Sequence, residues 1–231
     1  MTTPVHVRTW PSLSDVPQLY PDARNRRNRY PLLYRAGKSF ALTSAVNTQG
    51  RTALLAVGSN GYPRQLSDKL AGTEADLHGV PLIPALLSDF DVAFCPVRSS
   101  KGYMPVSLAA RPGAVCLTWI QWLTAEQLDI ISSTEGSRYA LVGGRDLASR
   151  VRISSRWRAP ATLYAWWFDS LLSDGESPTW LDVHSQQRLQ QFELEIDNSE
   201  VRPNPIPAGW QVVPRDPEHR RIEPNNMAEL C

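Results

Sequence analysis

Ten residues, Ala114–Leu123, carry large apolar side chains at odd and even positions alike, and a helix-start motif follows them directly. A strand with one wet face would alternate apolar and polar. This run does not, so it predicts a strand deep inside a sheet. Thr124 and Gln127 then have the spacing of a capping box, with Leu123 and Leu128 at the two staple positions. The pattern predicts a helix from Ala125 to about Thr134, ended by Gly136 in the left-handed conformation.

The flanking chain supplies further short elements. Pro105–Ala109 lies before Arg111-Pro112-Gly113, and Pro followed by Gly suits the centre of a type II turn, so a hairpin is expected there. Strands are expected at Thr52–Val57, Phe90–Phe94, Tyr139–Val142, Val151–Ser154 and Ala161–Phe168, and a short helical segment at Tyr62–Leu70. Pro81 and Pro84 suggest that Val80–Leu87 is an edge strand or an extended connection. Gly143-Gly144-Arg145-Asp146 reads as a turn, and Pro178 as the opening of a helix over Thr179–Gln191.

These elements divide the chain into a Pro/Arg-rich N-terminal extension (1–50), a compact domain (51–197) and a Pro-rich C-terminal tail (198–231). The extension is expected to wrap the domain, with Tyr20, Tyr30 and Tyr34 on its surface. The prolines after Val201 argue against regular structure in the tail, which either clamps onto the domain through Trp210 or moves freely.

A net charge of +1 offers no general attraction for nucleic acid or an anionic membrane, although Arg24, Arg26, Arg27, Arg29 and Arg35 leave an RNA- or partner-binding arm as one reading. No apolar run approaches the length of a membrane span, and the N-terminus lacks a secretory core. Cys95, Cys116 and Cys231 form neither a disulfide framework nor a metal-ligand spacing, so a cytoplasmic protein without metal or cofactor is expected.

Two local features suggest chemistry. The apolar Leu54–Val57 breaks into Gly58-Ser59-Asn60-Gly61, a loop able to aim backbone N–H groups into one small space, as an anion receptor requires. It is neither a P-loop, lacking Gly-Lys-Ser/Thr, nor a nucleophile elbow, because Val57 stands where a glycine is needed. The second feature is Glu135, a carboxylate at the negative pole of the predicted helix, where a cation would be favoured. An ordinary surface turn and a solvated Glu would read the same way in isolation. The pairs Asp89/Asp91 and Glu193/Glu195 read as solvated charges.

Together these pieces resemble the gamma-glutamylcyclotransferase family. Leu55–Asn60 is similar to that family's Y-G-S-N loop, and Leu128–Gly136 followed by Tyr139 is similar to its helix ending in the catalytic Glu-Gly before a strand that opens with Tyr. Gly102–Leu108 with Arg111-Pro112-Gly113 resembles its central hairpin, and Ser177-Pro178-Thr179-Trp180 its Ser-Pro-x-Tyr segment. Val57 and Trp180 stand where the family has Tyr, so both hydroxyls are missing.

The resemblance implies an α+β fold built on a small mixed β-barrel with packed helices, and a small-molecule gamma-glutamyl substrate. It makes Glu135 the general acid/base that releases 5-oxoproline and an amine. Val57, Gly58, Ser59, Asn60, Gly61, Tyr139 and Trp180 would line the substrate site. The alternative within the same fold is a non-catalytic protein that binds an amino-acid-like ligand or a protein partner.

Overall fold

The computed structural model describes residues 30–99, 103–181 and 200–214. The predicted strand–helix unit forms as expected. Strand β5 (Val106–Leu123) hands directly to helix α2 (Ala125–Thr134), and Thr124 and Gln127 make both bonds of the capping box.

In chain order, β1 (Leu32–Arg35), β2 (Lys38–Ala41), β3 (Thr52–Ala56), α1 (Pro63–Leu70) and β4 (Val80–Phe94) precede that unit. After it come β6 (Tyr139–Gly144), α3 (Arg145–Ser149), β7 (Val151–Ile153), β8 (Leu163–Phe168), β9 (Ser170–Ser173), β10 (Glu200–Pro203) and β11 (Gln211–Val213). The main sheet has the order β11-β6-β8-β3-β5-β4-β1-β2, with β7 also paired to β4. Its ladders are antiparallel except β3 on β8, so the architecture is a sheet-rich α+β fold.

Successive residues of the central strands feed two cores. Leu54, Ala56, Trp119, Leu123, Tyr164 and Trp166 face one side, where α1 and α2 cover them with Leu66, Leu70, Leu128 and Ile131. Ala53, Leu55, Ile120, Trp122, Ala165 and Trp167 face the other. On that side the far half of the β4–β5 ribbon folds over, adding Phe90, Val92, Phe94, Val106 and Leu108 to the same cluster. The fold-over begins at Asp89, whose φ is +65°, where the ladder register shifts between Ser88 and Phe90.

This geometry corrects the expected hairpin at Arg111-Pro112-Gly113. Residues 111–114 stand opposite Asp89 alone, as an outsized bulge inside one continuous strand, and the hairpin is instead β4 with β5. Gly113 does take a positive φ (+79°), but its N–H donates to Asp89 Oδ1 (3.0 Å) rather than closing a turn. Asp91 is buried against Arg111 (2.6 Å), so this carboxylate pair is not simply solvated.

Val80–Leu87 lies within the sheet, not at its rim. Its outer flank is shared by β1 at residues 80–82 and β7 at 85–87, leaving a gap opposite Pro84 where a missing N–H costs nothing in a ladder.

The compact region also begins earlier than expected. Leu32–Ala41 forms a hairpin on β4, and Tyr34 is buried with its hydroxyl donating to Asp76 Oδ1 (2.7 Å). The tail contributes two edge strands despite its prolines. Trp210 is inserted between Phe90 and Trp167, with its indole N–H on Asp146, so clamping is what occurs. Thr179 and Leu181 are extended, their N–H groups bonded to Leu172 and Val92, so the helix expected from Thr179 does not start there; residues 182–191 lie outside the described set.

Among the described residues the ladders do not close into a barrel. The folded-over half of β5 meets the end of β8 through side chains instead. Ser107 Oγ accepts from the Phe168 N–H (2.9 Å), and the Asn204 amide donates to the Leu108 and Phe168 carbonyls (2.9 Å each).

Candidate functional site

The loop after β3 is held from below by β5. Thr118 Oγ1 donates to the Ala56 carbonyl (3.0 Å), and the fully buried Gln121 donates through Nε2 to the Asn60 carbonyl. Ser59–Gly61 forms a single 3-10 turn that spends the Gly61 and Tyr62 N–H groups on the Gly58 and Ser59 carbonyls. A side chain at Gly61 would stand 3.0 Å from Trp119 Cδ1 and 3.2 Å from the Ala56 carbonyl oxygen, so the close approach favours glycine. Pro63 then starts α1 at its favoured first-turn position.

Glu135 is the C-cap of α2 and has an extended backbone (φ −81°, ψ 137°). Ser132, Ser133 and Thr134 turn their hydroxyls back onto the Leu128, Ile130 and Ile131 carbonyls, and the last of these is one of the four carbonyls that the helix end leaves without an internal partner. Gly136 is not left-handed, contrary to expectation, because the chain leaves the helix one residue earlier through Glu135.

The loop and the acid meet. Asn60 Nδ2 donates to Glu135 Oε1 (2.9 Å), and Lys69 Nζ, from the last turn of α1, reaches the same oxygen (3.0 Å) and Asn60 Oδ1 (2.6 Å). The Lys69 and Glu135 side chains are only 14% and 13% exposed. Lys69 therefore supplies the cation that the negative pole of α2 lacks in its own sequence. Among the described residues, Glu135 Oε2 accepts no hydrogen bond. Tyr103 adds a phenol beside Ser59; burial, and then the nearby Glu135 carboxylate, push its hydroxyl above the usual phenol range.

The other expected site residues are distributed differently. Gly58, Ser59, Asn60 and Gly61 all belong to the turn just described, whereas Val57 packs into the core on the face away from α1 and α2. Tyr139 donates its hydroxyl to the Val106 carbonyl (3.0 Å), with Cys95 Sγ at 3.6 Å. Burial pushes the Cys95 thiol up to about 12, so it is protonated. Trp180 packs with Ala93, Ala109 and Leu171 beneath the Arg111 guanidinium (4.8 Å). Trp122 lies in the opposite core from Trp119.

Sequence reasoning missed Lys69, Tyr103 and Gln121. For Gln121 a signal existed: it is a lone amide in an otherwise apolar buried run. Two clefts lie elsewhere. One of about 940 Å³ is lined by Tyr30, Leu42, Pro84, Arg156 and Trp157, and one of about 420 Å³ adjoins it at Pro84 and Ser154. No described helix is long and apolar enough to cross a membrane.

No family model and no curated protein matches this chain. Among solved structures it is similar to one named gamma-glutamyl cyclotransferase, at 10% identity and a TM-score of 0.39, covering 78% of this chain and 98% of that one. It is also similar to uncharacterized protein loc79017 from Homo sapiens, at 10% identity and a TM-score of 0.39, covering 79% and 99%. At that identity and TM-score these likenesses assign no activity to the chain.

Proposed function

We propose that the chain cyclises a gamma-glutamyl amide, releasing 5-oxoproline and an amine, with Glu135 as the general acid/base. The observation that carries this reading is the division of labour at the carboxylate. Oε1 is fixed by Asn60 and Lys69, while Oε2 takes no bond from the described residues beside a turn of backbone amides. A carboxylate held by one oxygen and open at the other is positioned to accept and return a proton.

In the reaction, the substrate's α-amine nitrogen attacks its own γ-carbonyl carbon and closes a five-membered lactam. The bond from that carbon to the leaving nitrogen breaks. The proton lost by the attacking amine passes to Oε2 and then to the departing nitrogen, so no oxidant, metal or second substrate is consumed. Both reacting groups sit on one molecule, and the protein's main contribution is to hold the folded conformer; for well-aligned pairs this is worth effective molarities of up to about 10⁵–10⁸ M. Developing negative charge on the carbonyl oxygen can be met by the Tyr103 hydroxyl or by the Ser59 and Asn60 amides.

The test is incubation of the full chain with a panel of gamma-glutamyl amines and dipeptides, reading 5-oxoproline by mass spectrometry. Release that vanishes in Glu135→Gln supports the reading; no release across the panel removes it. The Lys69–Glu135 ion pair favours one second reading, a non-catalytic binder of an amino-acid-like ligand, which that negative result would leave in place.

A further inference from the structure

We propose that the two clefts on the outer flank of β4 form one docking groove, and that its occupant is this chain's own stretch Asp15–Asp22, held by its two carboxylates on Arg156 and Arg152.

The groove exists because the sheet is interrupted. Strand β1 covers that flank of β4 at residues 80–82 and β7 covers it at 85–87, and Pro84 pairs with neither. Ser88 donates its N–H to the Arg150 carbonyl (3.0 Å) on this flank, so strand alternation turns the Pro84 carbonyl the same way, unused by either ladder. The cleft of about 940 Å³ opens there beside Tyr30 and Trp157. The one of about 420 Å³ continues it past Ser154 to Leu86 and Leu117. Tyr30 is 74% exposed and Leu86 44%, so the trough offers apolar surface along its length, which suits a segment of chain better than a small solute.

Its charge says which segment. Arg156 lines the first cleft and Arg152 the second, and no carboxylate is among the described residues lining either. Both guanidiniums are exposed, and neither makes an ion pair with a described residue. The chain enters β1 through Tyr30 and Pro31, which themselves line the first cleft, so residues 1–29 join the fold at its rim. Within 1–29 the acidic residues are Asp15 and Asp22, with the apolar Val16, Leu19 and Tyr20 between them. The chain from Tyr30 back to Asp22 reaches up to about 26–29 Å, and that from Asp22 to Asp15 up to about 23–25 Å. Chain order then matches cleft order: Asp22 meets Arg156 near Tyr30, and Asp15 meets Arg152 farther along. Arg24, Arg26, Arg27 and Arg29 are repelled by the same guanidiniums, which leaves the acidic stretch as the part that fits. The stretches 182–199 and 215–231 join the fold elsewhere. The first follows Leu181, bonded to Val92 in the far half of β4, and the second follows β11 at the opposite border of the sheet.

The experiment uses the full chain with p-benzoylphenylalanine in place of Tyr20, irradiated and mapped by peptide mass spectrometry. Crosslinks within one chain, to residues 151–157 or 42–45, are expected. Crosslinks elsewhere, none at all, or crosslinks that join two chains would overturn the proposal, the last making the groove a contact between copies. Hydrogen exchange is the second measurement and needs no label. The amides of 15–22 should exchange about tenfold faster in the double variant Arg152→Glu/Arg156→Glu than in wild type, and should return to the wild-type rate when Asp15→Arg and Asp22→Arg are added. Exchange in wild type as fast as in an unprotected peptide, or a rate that the double variant leaves unchanged, would overturn it too. If the charge reversal fails to fold, Arg152→Gln/Arg156→Gln decides instead, with a smaller acceleration expected and an unchanged rate counting against the proposal.

Discussion

Asn60 and Glu135 lie 75 residues apart in the chain and share a hydrogen bond of 2.9 Å. Neither belongs to the regular part of a helix or strand: one sits in a 3-10 turn and the other caps a helix. The site is therefore made where two elements end, and its precision depends on how firmly those ends are held.

Glu135→Gln tests the acid/base role with almost no change of shape. The amide oxygen can still accept from Asn60 and Lys69, but the largely buried Lys69 ammonium loses its counter-charge, so stability should fall by up to about 3–5 kcal/mol. Turnover should fall by a factor of about 10²–10⁴. Thermal melting together with 5-oxoproline release checks both, and unchanged turnover would take Glu135 out of the mechanism.

Gln121→Met removes the buried amide that holds the Asn60 carbonyl from below. Loss of that bond should cost about 0.5–1.5 kcal/mol. It should also loosen the turn, which hydrogen exchange at the Gly61 and Tyr62 amides would report as faster exchange than in wild type. Exchange that stays as slow as wild type would mean the turn is set by its own bonds.

Gly61→Ala and Gly136→Ala should behave oppositely. The first pushes a methyl group against Trp119 and the Ala56 carbonyl and should cost about 1–3 kcal/mol. The second meets nothing within 4 Å and needs no positive φ, so it should be nearly neutral. Chemical denaturation of the two variants is the measurement; a large loss at 136 would restore a left-handed helix stop there.

Acid should release the tail. Asp146 is held below its ordinary value of 3.8, first by the Trp210 indole N–H and then by Arg150. A carboxylate with a depressed value contributes stability that is present above the unfolded value and lost as pH falls through the folded one. The Trp210 contact should therefore weaken only below about pH 3.8. Tryptophan fluorescence in wild type and Asp146→Asn checks this; the variant should lose the acid step in that range.

What could be read from the sequence was what local chemistry decides. The run from Ala114 to Thr134 was legible because its two-sided hydrophobicity and its capping box refer only to neighbouring residues. The bulge at 111–114 was not: Pro112-Gly113 suits a turn, and only the left-handed Asp89 opposite it and the buried Asp91 paired to Arg111 turn the same residues into a bend in one strand. Thr179 was misread because its partner is the Leu172 carbonyl, a tertiary contact that outweighs a helix-start signal. In the site, Glu135 stood out as a charge in the wrong place on its helix. Lys69, which makes that place acceptable, comes from another helix, and no spacing rule connects them.

The parallel pairing of Leu54 with Tyr164 governs the order in which this molecule can be made. Strand β3 is synthesised early, yet one of its two flanks has no partner until β8 leaves the ribosome. Until then the nascent chain displays a hydrophobic, hydrogen-bond-hungry border of the kind that recruits chaperones or sticks to other chains. Fragments that stop short of Leu163 should accumulate as aggregates rather than as smaller working proteins.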